Sequence, residues 1–119
     1  IIGVVALNNI NYRHQTASWA FYIDEAYRNK KYGSYIEYKL LNMVFGEMGL
    51  LKLNCEVLSI NPNVIKLHQK FGFQKEGIQR SSIQKNNERV DVVQLGILKE
   101  EWQLSKNKIE KILFRKRTK

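Results

Sequence analysis

Three places in the chain hold residues whose chemistry goes beyond packing. The run Arg28-Asn29-Lys30-Lys31-Tyr32-Gly33-Ser34 gathers three cations just ahead of a helix start. A strand-to-helix turn of this kind presents unpaired backbone N–H groups and the positive end of a helix dipole, and both attract phosphate. Arg28, Lys30 and Lys31 add charge suited to a pyrophosphate or a sugar phosphate, and Gly33 lets a ligand approach the backbone with no Cβ in the way. The plain alternative is a solvated basic loop in which Ser34 only caps a helix. Glu56 is a mid-strand carboxylate, either a satisfied edge residue or a general base at a sheet opening. His68 falls four residues after Val64 and three before Phe71 on a short helix. It is either a packing residue or, since imidazole titrates near neutrality, a carrier of protons.

Other chemistries find little support. His14 is isolated, and no cluster has metal-ligand spacing. Cys55, Glu56 and His68 do not make a thiol-protease set, because strand alternation turns Cys55 away from Glu56. A single cysteine excludes an internal disulfide and a Cys-rich zinc site, and it fits a reducing cytoplasm. There is no GxGxxG and no Walker-type phosphate loop.

The elements that must position these residues follow from periodicity. Residues 1–7 are β-branched and read as a buried strand, with Asn8, Asn9 and Asn11 supplying turn chemistry. Residues 17–23 alternate, with Ala17, Trp19, Phe21 and Ile23 on one face. A loop over 24–32 leads to a helix over 33–45, where Ile36, Leu40, Met43 and Val44 keep helical spacing and Gly46 and Gly49 close it. Residues 51–58 alternate again, placing Leu51, Leu53, Cys55 and Val57 opposite Lys52, Asn54, Glu56 and Leu58. Asn61 as N-cap and Pro62 at N1 start the next helix, and Gly72 suits the left-handed position at its end. Strands over 73–80 and 90–98 join through Lys85-Asn86-Asn87-Glu88, and Trp102 begins a terminal helix. The order β-β-α-β-α-β-β-α predicts an α+β, mixed α/β sheet with flanking helices. Each of its two helical crossovers should join parallel neighbours.

Charge and length narrow the classes. The chain has 119 residues, one domain's worth, and a formal net charge of +9. Seven basic residues and Glu110 give residues 105–119 a charge of +6, which leaves +3 for the first 104. The expected division is therefore a domain over 1–104 and a basic helix or tail over 105–119. Nucleic-acid binding through that tail would need interleaved aromatics as stacking platforms, and the tail offers only Phe114. Apolar residues at 44% and no run approaching the roughly 20 needed to cross a bilayer argue for a globular chain outside the membrane.

Taken together, these segments resemble the GNAT superfamily of acetyl-CoA-dependent N-acetyltransferases. Arg28-Asn29-Lys30-Lys31-Tyr32-Gly33 resembles the acyl-CoA loop Arg/Gln-x-x-Gly-x-Gly/Ala. Asn61-Pro62-Asn63-Val64-Ile65-Lys66-Leu67-His68-Gln69-Lys70-Phe71-Gly72-Phe73 resembles Asn-x-x-Ala-x-x-Leu-Tyr-x-x-x-Gly-Phe. The resemblance covers residues 1 to about 102. It implies a mostly antiparallel sheet whose central parallel pair splays apart, with the family's N-terminal elements lying before Ile1. Loss of an edge strand would then favour self-association.

The resemblance also implies roles. Acetyl-CoA is the co-substrate, with no metal. Its pantetheine would lie along the backbone of Phe21, Tyr22 and Ile23, and its pyrophosphate would meet the amides from Asn29 to Ser34 with Arg28, Lys30, Lys31 and Tyr32 close by. Asn61 and Lys66 would complete the cofactor site. Glu56 would be the base, a backbone N–H near Tyr22 or Ile23 would hold the oxyanion, and His68 would return a proton to the thiolate. In two places the chain departs from the pattern: Lys31 stands at the first loop glycine, and His68 stands at the usual tyrosine. Within the superfamily the phrases 17–23, 64–73 and 90–98 are most similar to the acetyltransferases of pseudaminic acid biosynthesis, which serves flagellin glycosylation. Those enzymes acetylate the 4-amino group of a UDP-linked amino-dideoxy sugar. Polyamine and ribosomal-protein acetyltransferases share much of the pattern and are the alternative acceptors.

Overall fold

The computed structural model describes the backbone of residues 3–23 and 32–114, with side chains for 6–20 and 33–114. Strands β1 (Gly3–Asn11) and β2 (Thr16–Ile23) precede helix α1 (Tyr32–Asn42), which runs on into a π-helical turn, Met43–Glu47. Strand β3 (Lys52–Leu58), helix α2 (Pro62–Phe71), strands β4 (Gln74–Lys85) and β5 (Glu88–Leu98) and helix α3 (Lys99–Leu113) follow. One five-stranded sheet has the order β1-β2-β3-β5-β4. Among the described strands, only β2 and β3 pair in parallel; the other three neighbouring pairs are antiparallel.

The first crossover, through α1, joins parallel neighbours as its length requires. The second does not. β5 folds back between β3 and β4, so the strands flanking α2 are separated. Composition explains the exchange. Val90, Val92, Val93, Leu95 and Ile97 of β5 are all buried, whereas eleven of the twelve β4 residues are exposed. The apolar strand takes the interior position and the polar one takes the edge.

Several boundaries differ from the sequence reading. β1 extends to Asn11 and β4 to Lys85, while β3 begins at Lys52 and leaves Leu51 exposed. The hairpin turns at Asn86 and Asn87, with φ of 52° and 64°, the left-handed pair that a two-residue loop demands. α3 starts three residues before Trp102 because the Glu101 carboxylate accepts the Leu98 N–H at 2.9 Å. Glu100 and Glu101 also suit the positive end of its dipole. The division expected after residue 104 falls inside this helix. Ile109 is buried in the core, and the Tyr38 hydroxyl donates to Glu110 Oε2 at 2.6 Å.

At the start of α2, Asn61 makes no side-chain cap. Its backbone, at φ −115° and ψ 63°, departs from the extended geometry that aims an N-cap side chain at the first turn. Its carbonyl instead accepts from the Val64 and Ile65 N–H groups. The helix ends at Gly72, whose φ of 116° is strained for any other residue. The Gly72 N–H reaches the Gln69 carbonyl and the Phe73 N–H reaches that of His68, a Schellman motif that fixes the last turn.

One face of the sheet carries Ala17, Trp19, Leu53, Cys55, Val57, Val93, Leu95 and Ile97. These pack in a single core with Leu40 and Leu41 of α1, Val44 and Phe45 of the π turn, Phe71, Trp102 and Ile109. The opposite face is wetter: Ser18, Asn54 and Gln94 are half-buried, and Glu56 is exposed.

Candidate active site

The parallel pairing of β2 and β3 runs from Thr16↔Lys52 to Trp19↔Cys55 and stops. Beyond it, β2 continues to Ile23 against β1 alone, and β3 continues to Leu58 against β5 alone. Each strand is held on its outer side by an antiparallel partner, so the inner edges of residues 20–23 and 56–58 part without dismantling either ladder. The splay expected between these strands is present, and Trp19 and Cys55 mark its vertex.

Phe21, Tyr22 and Ile23 supply the backbone of the β2 arm. Arg28, Asn29, Lys30 and Lys31 lie outside the described residues. Tyr32, Gly33 and Ser34 form the first turn of α1, directly after the basic run. The α1 N-terminus therefore follows the basic run as an anion site requires. Asn61 and Lys66 are exposed, at the start and on the outer side of α2.

His68 is 2% exposed, and its ring sits 5.1 Å from Trp19, edge to face, and 5.4 Å from Phe73. The imidazole thus lies against the last residue that still pairs before the strands part. Its Nδ1 meets both carboxylate oxygens of Glu37, at 3.0 and 2.9 Å. Glu37 is fully buried. Burial pushes its carboxyl above the ordinary carboxylate range, while the hydrogen bond and charge of His68 pull the other way.

Glu37 is the functional candidate that the sequence reading missed. It shares a helix face with Leu41 and Val44, four and seven residues on, and both are fully buried. An acid in register with an apolar stripe is a legible signal of a buried, partnered carboxylate.

Glu56 follows Cys55 on β3 and points to the opposite, wetter face, across from Gln94. The structure therefore brings His68, Trp19, Cys55 and Glu37 together on the helix side of the vertex. Glu56 stands on the other side at the same level. A base and an acid so placed can act on two ends of a group lying in the gap, without neutralising one another.

Cys55 is no nucleophile. Burial pushes its thiol up to about 12, and the Glu37 charge adds to the shift. The ordinary thiol value is 9.0, so the unfolded chain ionises first as pH rises. The stability contributed by the buried thiol is complete below 9.0 and declines as pH climbs toward 12. Urea unfolding is expected to show a loss between these limits of about 1.4 kcal/mol per pH unit that Cys55→Ala lacks. Parallel pH profiles for the two proteins would contradict this.

Among the described residues, no group of three or more His, Cys, Asp and Glu is placed to hold a metal ion. No helix among them is long and apolar enough to cross a membrane.

Comparison with known proteins places this geometry. Residues 1–93 match the family described as Acetyltransferase (GNAT) domain. An SPbeta prophage-derived uncharacterized N-acetyltransferase of Bacillus subtilis is 30% identical over 105 residues, covering 88% of this chain and 59% of that protein. The spermidine N(1)-acetyltransferase of Vibrio cholerae is 28% identical, over 86% of this chain and 59% of its own. The crystal structure of spermidine N-acetyltransferase from Vibrio cholerae in complex with CoA and spermine superposes with a TM-score of 0.81 at 27% identity. It is matched over 86% of this chain and 60% of that one. The chain thus spans 59% of the length of these two curated relatives. A family match over residues 1–93, on a sheet whose one parallel pair splays beside a buried helical imidazole, makes the chain a member of the GNAT acetyltransferase family.

Proposed function

We propose that the protein transfers the acetyl group of acetyl-CoA to a primary amine of a small molecule, and that the acceptor is a polyamine. The observation that carries the reaction is the end of β2–β3 pairing at Trp19–Cys55, which leaves two strand edges free to flank an extended pantetheine. The backbone of Phe21, Tyr22 and Ile23 would bond to its amides. Arg28, Lys30, Lys31 and the first turn of α1, with Gly33 and Ser34, would meet the pyrophosphate. Asn61 and Lys66 would line the outer approach along α2.

Glu56 takes the proton that the amine must lose, directly or through water, from the exposed face where a cationic acceptor arrives. A backbone N–H near Tyr22 or Ile23 stabilises the oxyanion. His68, on the other side of the vertex, returns a proton to the sulfur. The polyamine reading is supported by relatives and solved neighbours described as spermidine acetyltransferases. A UDP-linked amino sugar of the pseudaminic acid type is the second acceptor. It is favoured by the sequence phrases 17–23, 64–73 and 90–98 and by the basic surplus of the chain.

The test is release of CoA thiol by the protein given acetyl-CoA with spermidine, a UDP-4-amino sugar or a ribosomal-protein N-terminal peptide. Spermidine is expected to support turnover with the highest kcat/KM. Turnover with the sugar alone would replace the acceptor, and no amine-dependent release would end the proposal.

A further inference from the structure

The proposed reaction leaves the buried carboxylate of Glu37 without a task. Glu37 is fully buried, comes from a different helix than His68, and meets its Nδ1 with both carboxylate oxygens, at 3.0 and 2.9 Å. A carboxylate is an expensive side chain to hold in a core, and an apolar residue in register with Leu41 and Val44 would fill the same helix face. Its geometry is that of an orienting group: a bifurcated acceptor on one nitrogen of an imidazole whose ring lies against the vertex residue Trp19.

We propose that Glu37 is the positioning residue of a Glu37–His68 dyad, and that the dyad delivers a proton from His68 Nε2 to the departing thiolate. This rests on the reaction proposed above. In the dyad so proposed, two protons are held at rest, one bridging Glu37 and Nδ1 and one on Nε2, which leaves the buried pair without net charge. That state presents Nε2–H wherever the bridging proton sits. When the amine nitrogen bonds to the thioester carbon, the C–S bond breaks and its electron pair stays on sulfur. Sulfur takes the Nε2 proton while the bridging proton settles on Nδ1. The dyad ends as neutral imidazole beside a carboxylate anion. Of the two protons a cationic amine sheds in becoming an amide, Glu56 takes both in turn, passing the first to solvent before attack and holding the second. One proton then returns through solvent from Glu56 to the dyad.

Without Glu37 the bridging proton is gone. A neutral imidazole alone would have to become imidazolate to give up its Nε2 proton, which is a far weaker acid. This distinguishes orientation and charge supply from mere packing, because a glutamine of equal shape preserves the packing and removes the proton.

The test combines steady-state kinetics with ¹⁵N NMR of the labelled His68 ring in the protein. Glu37→Gln is expected to lower kcat by roughly tenfold or more, toward the range lost with a general acid, with KM for acetyl-CoA unchanged. Glu37→Asp should recover part of the loss. In a His68→Phe background Glu37→Gln should cost no further rate. The wild-type spectrum should show a proton on Nε2 and one bound to or shared at Nδ1, with the Nδ1 signal lost in Glu37→Gln. Wild-type kcat in Glu37→Gln overturns the dyad while leaving the acetyl-transfer reaction standing. A wild-type ring bare at Nε2 overturns it as well, and that spectrum requires no variant to fold. Absence of any amine-dependent turnover overturns both.

Discussion

Glu56→Gln is expected to lower kcat for amine acetylation by roughly 10²–10⁴-fold, the range of general acid–base catalysis. The expectation rests on where β3 puts this side chain. Cys55 faces the core and closes the splay on the helix side, so the next residue must face the other way. Glu56 is exposed, the first residue of β3 past its pairing with β2. A carboxylate there meets an acceptor amine before the thioester does, and its charge draws a cationic amine in. Glutamine keeps the size and one acceptor oxygen and loses the ability to take a proton. Acetyl-CoA binding, which depends on the β2 backbone and the α1 N-terminus, should be unchanged by calorimetry. Near-wild-type turnover would remove Glu56 from the chemistry.

His68→Phe is expected to destabilise the fold by about 3–5 kcal/mol, measured as a shift in the denaturant midpoint, besides lowering the rate. Phenylalanine fills the ring's place between Trp19 and Phe73 but leaves Glu37, fully buried, with no cation or donor. An uncompensated buried carboxylate is the costly half of a broken pair. Adding Glu37→Leu should restore much of the stability, because two apolar groups of similar volume can replace such a pair with little loss. It should restore none of the rate. His68→Tyr keeps a proton donor and should retain much of the turnover. A His68→Phe protein as stable and as fast as wild type would make the imidazole simple packing.

Much of the fold was legible because its signals are local. The β-branched and alternating runs announced the strands, Gly72 announced a left-handed helix end, and the adjacent Asn86 and Asn87 announced a two-residue turn. The insertion of β5 beside β3 was not legible from connection rules, which relate only consecutive elements. It follows from a comparison of β4 and β5 composition, a competition for one interior slot that plays out across the whole sheet.

The site divides in the same way. Glu56 could be assigned to a face by period-two alternation, and the structure keeps it there. His68 carried two readings because a helical periodicity gives a direction and not a neighbour. Its neighbour, Glu37, lies 31 residues away on another helix. Likewise the tail's charge, on which its separation from the domain rests, is a surface property. Ser105, Ile109, Glu110, Leu113 and Phe114 fasten this stretch to Phe71, the core, Tyr35 and Tyr38, and only Glu110 enters such a sum. A deletion meant to probe the basic tail should therefore begin after Phe114, where α3 has ended.

The most direct test of the parted strands as the seat of the thioester is a crystal structure of the protein with CoA. The expected result is pantetheine between residues 20–23 and 56–58, with its sulfur at the His68 edge of the vertex and Glu56 on the opposite side. CoA bound elsewhere on the molecule, or β2 and β3 paired through to Ile23 and Leu58, would contradict it.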